Sequence, residues 1–197
     1  MRTRNETTHQ LKKMEILKAA QRCFVDAGFH QTGMQDVCAA VGMSPGALYR
    51  YFPSKNSIIA ALAEQERAEN QKLMTQIDHA PNILIGLLEI IDQMSAVFQD
   101  RALGRLTLDI GAEAARNPKV AKIYAEAEDE VRKALGLSLK RGQKAGHIRR
   151  DLDVQTAAHL LISIFDGLIG RGAFPLPVPR RNLTIALSEL VRRFLTP

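Results

Sequence analysis

With 197 residues, 46% hydrophobic and 24% charged, the chain can bury a core of its own, so neither disulfides nor a structural metal is required. The net charge is +6; residues 1–56 carry eight Lys/Arg against four acids, while the other 141 residues carry 19 against 17, a basic head followed by a nearly neutral body. That asymmetry points to a polyanionic partner for the head, and with a polar start and no apolar run near the ~18 residues of a membrane span, neither a signal peptide nor a bilayer crossing is expected.

Helical periodicity dominates and no run alternates as a strand does, so the expected fold class is all-α, with about nine helices. Leu11, Ile16, Ala20, Cys23, Phe24 and Ala27 form one apolar stripe that Gly28 ends. A short second helix runs from Met34 to Val41 and stops at Gly42, and a third runs from Pro45 to Phe52 and stops at Pro53. A long fourth helix follows Ser54 and continues to His79, where Pro81-Asn82 breaks the chain. The fifth is expected over residues 83–99 and the sixth from Leu103 to Arg116. Asn117-Pro118 reads as an N-cap with proline at the first helical position, opening a seventh helix to Ala145. Asp151 or Asp153 caps an eighth helix to Arg171; after the FPLPVP loop a ninth spans Arg180–Leu195. The expected domains are residues 1–54, a helix-turn-helix head, and 55–197, a helical body.

Helices 2 and 3 are too short to persist alone in water. Joined by VGMS, they have the outline of a helix-turn-helix. At about 100° per residue, Leu48 and Phe52 face the core, Gly46, Ala47 and Arg50 point outward, and Tyr49 and Tyr51 flank them. An ordinary surface helix would expose long charged side chains there. Glycine and alanine instead let a backbone approach something large, while tyrosine hydroxyls and one arginine suit phosphates and base edges in a major groove. The alternative is a tight interhelical contact. Lys55 opens the fourth helix beside the positive end of its dipole, a mildly unfavourable place that a bound phosphate would relieve.

The stretch ILKAAQRCFVDAGFHQTGMQDVCAAVGMSPGALYRYFPSKNSII, residues 16–59, resembles the tetracycline-repressor (TetR) family of bacterial transcriptional regulators. Its markers are Phe24 to Gly28-Phe29, Thr32, Asp36-Val37, Val41-Gly42, Ser44, Gly46, Leu48-Tyr49, Phe52 and Lys55. The resemblance implies a three-helix DNA-binding head and a body that binds a small effector and dimerises through its last two helices. By position it places Thr32, Gln35, Ser44, Gly46, Tyr49, Arg50, Tyr51 and Lys55 toward DNA. Gly33 departs from the family, which often has a hydroxyl residue there as a cap and phosphate contact, so Thr32 must serve or that contact is absent. Arg2 or Arg4 is a further candidate, for a minor groove.

Homodimerisation matches a pseudo-palindromic double-stranded operator. Helix 8 is apolar almost all round and helix 9 carries a stripe at Leu183, Ala186, Leu187, Leu190, Val191 and Phe194, so both need burial beyond one core face. An unidentified small-molecule effector is expected among helices 4 to 8, with Met94, Phe98, Ile110, Tyr124, Ile162 and Asp166 as candidate contacts beside Leu106, His159 and Phe165. Asp166, a carboxylate in an apolar helix, needs a partner: effector, Arg171 or the second subunit. Asp109 and Glu113 could mark a cationic effector or acid/base chemistry, or be merely solvated. Cys23 and Cys38 are expected as inert packing in a reducing, cytoplasmic setting, a thiol sensor being the alternative. No Ser-His-Asp, HExxH or phosphate-loop pattern is present, so no catalytic set, metal or cofactor is expected. The leading function is an operator-binding regulator, most simply a repressor released by its effector. An all-helical interaction protein or enzyme is the rival, separable by the salt dependence of DNA affinity.

Overall fold

The computed structural model describes residues 2–175 and 177–196, with side chains from Thr7 onward. Arg2 and Arg4, considered for a minor groove, therefore have their side chains outside the described residues. Among the described residues there are nine α-helices and no strand: α1 Arg2–Ala27, α2 Met34–Val41, α3 Pro45–Tyr51, α4 Lys55–His79, α5 Ile83–Met94, α6 Arg101–Ala114, α7 Pro118–Ala145, α8 Val154–Arg171 and α9 Arg180–Leu195. The boundaries follow local chemistry. Gly28 and Gly42 end α1 and α2 at φ +83° and +69°, where a side chain would be strained. The Ser44 Oγ accepts the Ala47 N–H at 3.3 Å over Pro45 at the first position of α3, and Asp153 caps α8 by accepting from Thr156 N–H at 2.8 Å.

Helix boundaries differ from the sequence expectation chiefly where the fifth helix gives way to the sixth. The fifth helix ends at Met94, and a single 3-10 turn, Val97–Gln99, turns Phe98 fully into the core, 5.6 Å edge-on from Phe165. Asp100 then accepts the N–H groups of Ala102 and Leu103 at 2.9 and 3.0 Å, starting α6 earlier than the apolar pattern suggests.

The chain divides into two compact units. The first comprises residues up to Gln65 with Asp109–Tyr124; Ile16, Phe24, Leu48, Phe52, Ile58 and Ile59 are buried at its core. Each of those side chains contributes about 1.5–3 kcal/mol of burial, which is what holds α2 and α3 helical. The second unit comprises Glu66–Leu108 and residues from Ala125 on. Its core joins α5, α7, α8 and α9 through Leu87, Ile91, Leu139, Leu161, Leu187 and Val191. Gly104 of α6 lies so close to the end of α8 that a Cβ would stand 2.3 Å from the Ala173 amide nitrogen, so only glycine fits that crossing.

Candidate nucleic-acid interface

The outer face of α3 is the candidate site. Gly46 is exposed, and a Cβ added to it would meet nothing within 4 Å, so its smallness is not required by any contact within the chain. Tyr49 is 49% exposed and Arg50 is exposed beside it, while Leu48 and Phe52 are buried. Gln35 on α2 and Ser44 at the start of α3 are exposed as well. Tyr51, half-buried, carries the His9 ring stacked on its own at 4.7 Å and 19°. The structure thus brings Gln35, Ser44, Gly46, Tyr49, Arg50 and Tyr51 together on α2 and α3.

Thr32 and Lys55 are placed differently. Thr32 is 1% exposed, and its hydroxyl lies 2.9 Å from the Gly28 carbonyl and 3.0 Å from that of Cys23. It locks the turn between α1 and α2 rather than capping α2. The cap position belongs to Gly33, whose N–H donates to Asp36 Oδ2 at 2.6 Å, half of a capping box with no hydroxyl in it. Lys55 points its ammonium into the same turn, donating to the carbonyls of Phe29 at 2.7 Å, Thr32 at 3.0 Å and His30 at 3.5 Å, 4.2 Å from the Phe29 ring centroid. Burial pulls its pKa below the usual lysine value, and Glu113 pulls it back. The clash between cation and helix dipole is answered by carbonyl oxygens of the chain itself, which corrects the expectation of an outward ammonium waiting for phosphate.

Asp109 and Glu113 of α6 complete this arrangement, and the sequence offered no sign of it. Asp109 Oδ2 accepts the Phe29 N–H at 3.1 Å. Glu113 is 7% exposed, 3.3 Å from His30 Nε2, and accepts from Asn117 Nδ2 at 2.8 Å. The turn at residues 28–32 is therefore gripped by α4 and α6 at once.

In the second unit Met94, Phe98 and Ile162 pack with the core, and Asp166 of α8 opens to solvent on one side. Ile110 and Tyr124 belong to the first unit. The Arg171 guanidinium carbon lies 5.1 Å from the Phe174 ring centroid, and the charge that acts on Asp166 is that of Glu128. Crowding by neighbouring atoms and then the charge of Glu128 raise the Asp166 carboxyl, and Glu66 is raised by crowding and by Asp166. His159 is exposed, 3.5 Å from Glu128. Cys23 is raised by burial and then by Asp36, and Cys38 is buried, so both thiols suit packing rather than reactivity. Among the described residues no group of three His/Cys/Asp/Glu could hold a metal, and no helix is long and apolar enough to cross a membrane.

Residues 16–62 match a family model described as bacterial regulatory proteins, tetR family, and residues 87–196 match one described as BetI-type transcriptional repressor, C-terminal. The first match begins at Ile16, so the turns of α1 that carry His9 and Lys13 precede it. HTH-type transcriptional regulator UidR of Escherichia coli (strain K12) is 29% identical over 166 residues, 83% of each chain. HTH-type transcriptional repressor AcnR of Corynebacterium glutamicum is 23% identical over 159 residues, 81% of this chain and 80% of that one. The solved structure of Salmonella enterica GusR superposes with a TM-score of 0.79 at 30% identity, covering 93% of this chain and 94% of that one.

Proposed function

This chain belongs to the tetR family of bacterial regulatory proteins and is a DNA-binding transcriptional repressor, and we propose that it reads a pseudo-palindromic operator as a homodimer and releases it on binding a small effector. One observation carries the assignment of the reading surface: Gly46 stands bare on the exposed first turn of α3, beside Tyr49 and Arg50, with nothing in the chain that needs the space. A backbone free to come within van der Waals distance of a groove is what the feature supplies. In this reading Arg50 and Tyr49 meet base edges, Gln35, Ser44 and Tyr51 meet phosphates, and Thr32 and Lys55 act indirectly by fixing the turn from which α2 starts.

The dimer is proposed through α8 and α9. Leu160 on α8 and Ile185 and Leu190 on α9 are 44%, 57% and 49% exposed, an apolar set that supports contact with a second copy. Within the second unit Met94, Phe98, Ile162 and Asp166 remain the proposed effector contacts. Release would follow from a ligand that favours one position of α4 or α6, because both helices hold the turn at residues 28–32.

The test is fluorescence anisotropy on a labelled duplex selected by the protein from a random-sequence library, against a scrambled duplex. Sequence-preferring binding is expected, with log affinity falling linearly in log salt by about 0.9 per phosphate neutralised. Arg50→Ala or Tyr49→Ala should weaken it by about 1–3 kcal/mol. Failure to select any duplex, or indifference to both substitutions, would overturn the assignment to α3.

A further inference from the structure

We propose that His9 is a positioning residue for DNA recognition, its ring bracing Tyr51 so that the tyrosine is held in one orientation at the end of α3. The inference rests on the reading of Tyr51 as a DNA contact. Positions 9, 13, 16, 20 and 24 recur at three- and four-residue spacing and so share one face of α1. Ile16, Ala20 and Phe24 on that face are wholly buried. Toward the N-terminus the same face carries Lys13, whose Nζ lies 5.7 Å from the Phe52 ring centroid, and then His9 on Tyr51. The core contact of α1 is thereby extended along the end of α3 by side chains that are not themselves apolar.

The geometry of the His9 pair is that of a parallel stack, with centroids 4.7 Å apart and ring planes 19° from parallel. A tyrosine turns about two side-chain torsions, and a flat ring laid on one face removes most of the alternatives. Tyr49 makes the contrast: it is 49% exposed and has no ring contact among the described residues. A contact residue ordered before binding loses less freedom on binding, so the brace is felt as affinity. Helix α3 is seven residues long and ends at Tyr51.

The experiment is a double-mutant cycle on the affinity for the selected duplex, with circular dichroism confirming wild-type helicity in each variant. His9→Ala should weaken binding about threefold to tenfold, and His9→Phe, which keeps a flat ring and removes the ring nitrogens, should restore it. In the Tyr51→Ala background His9→Ala should cost nothing further. Wild-type affinity in His9→Ala beside a weakened Tyr51→Ala would overturn the proposal and leave the reading of Tyr51 standing. Wild-type affinity in Tyr51→Ala would remove that reading and the proposal with it. Additive losses, or no rescue by phenylalanine, would show that His9 meets the DNA itself and overturn its positioning role.

Discussion

At Lys55 a charge set against its helix dipole is accommodated inside one chain. Three carbonyls and the Phe29 ring receive the ammonium, so the residue joins the start of α4 to the turn after α1. Asp166 is the opposite case: its neighbours are Glu66 and Glu128, and its carboxyl is raised by crowding and by charge. A carboxyl raised in the folded state keeps its proton over a pH range in which the unfolded chain has lost it. Stability therefore falls as pH rises through that range, and the penalty is complete above the folded pKa. Asp166→Asn is expected to stabilise the protein at about pH 7.5 by roughly 0.5 kcal/mol or less, since solvent screens a half-open site. The difference should vanish at about pH 3, below the usual carboxylate value. Thermal unfolding of both proteins at the two pH values checks the sign. A variant less stable at neutral pH would mean that the carboxylate has a favourable partner.

Among the elements, α3 shows a division between what stabilises and what functions. Glycine in its first turn is a poor helix former, and the space around its Cα is empty. Gly46→Ala is therefore expected to raise stability by about 0.5 kcal/mol while costing about 1–2 kcal/mol of operator affinity, as the added methyl group holds the backbone off the groove. Denaturant unfolding and anisotropy on the same sample separate the two. A loss of both would indicate a hidden packing role, and a gain of both would remove the groove contact. The elements themselves were legible because capping and stopping residues are local: Ser44-Pro45, Asn117-Pro118, Gly28 and Gly42 act within a few residues of themselves. The break after Met94 was not, because it depends on Phe98 finding Phe165, far along the chain on α8.

For the molecule as a whole, the two last helices carry apolar surface on more than one side. The stripe read on α9 divides in the structure: Leu187 and Val191 are buried in the protomer with Leu183 and Phe194 packed against the same core, whereas Ala186 and Leu190 stay exposed, as does Ile185 beside them. Ile185 was not singled out in the sequence, because it falls off the stripe that faces the core. If α8 and α9 form the dimer, Leu190→Arg places an unpaired charge in a dry contact, at about 3–5 kcal/mol, without disturbing the protomer core. Sedimentation should then give a monomer with unchanged helicity, and operator affinity should fall because two linked half-site contacts become one. A dimer that survives the substitution would place the interface elsewhere.

The all-helical class, the short paired helices and the face of α3 were determined by the sequence alone, since each depends on periodicity and on residues that act on their own backbone. Only the tertiary structure decided the direction of Thr32 and Lys55, the burial of Glu113 and the pairing of His9 with Tyr51. Those depend on groups brought together from distant parts of the chain: Phe29 meets Asp109, His30 meets Glu113, and His9 meets Tyr51. A polar side chain in a sequence has many possible partners, and the partner it receives is set by which helices are packed around it.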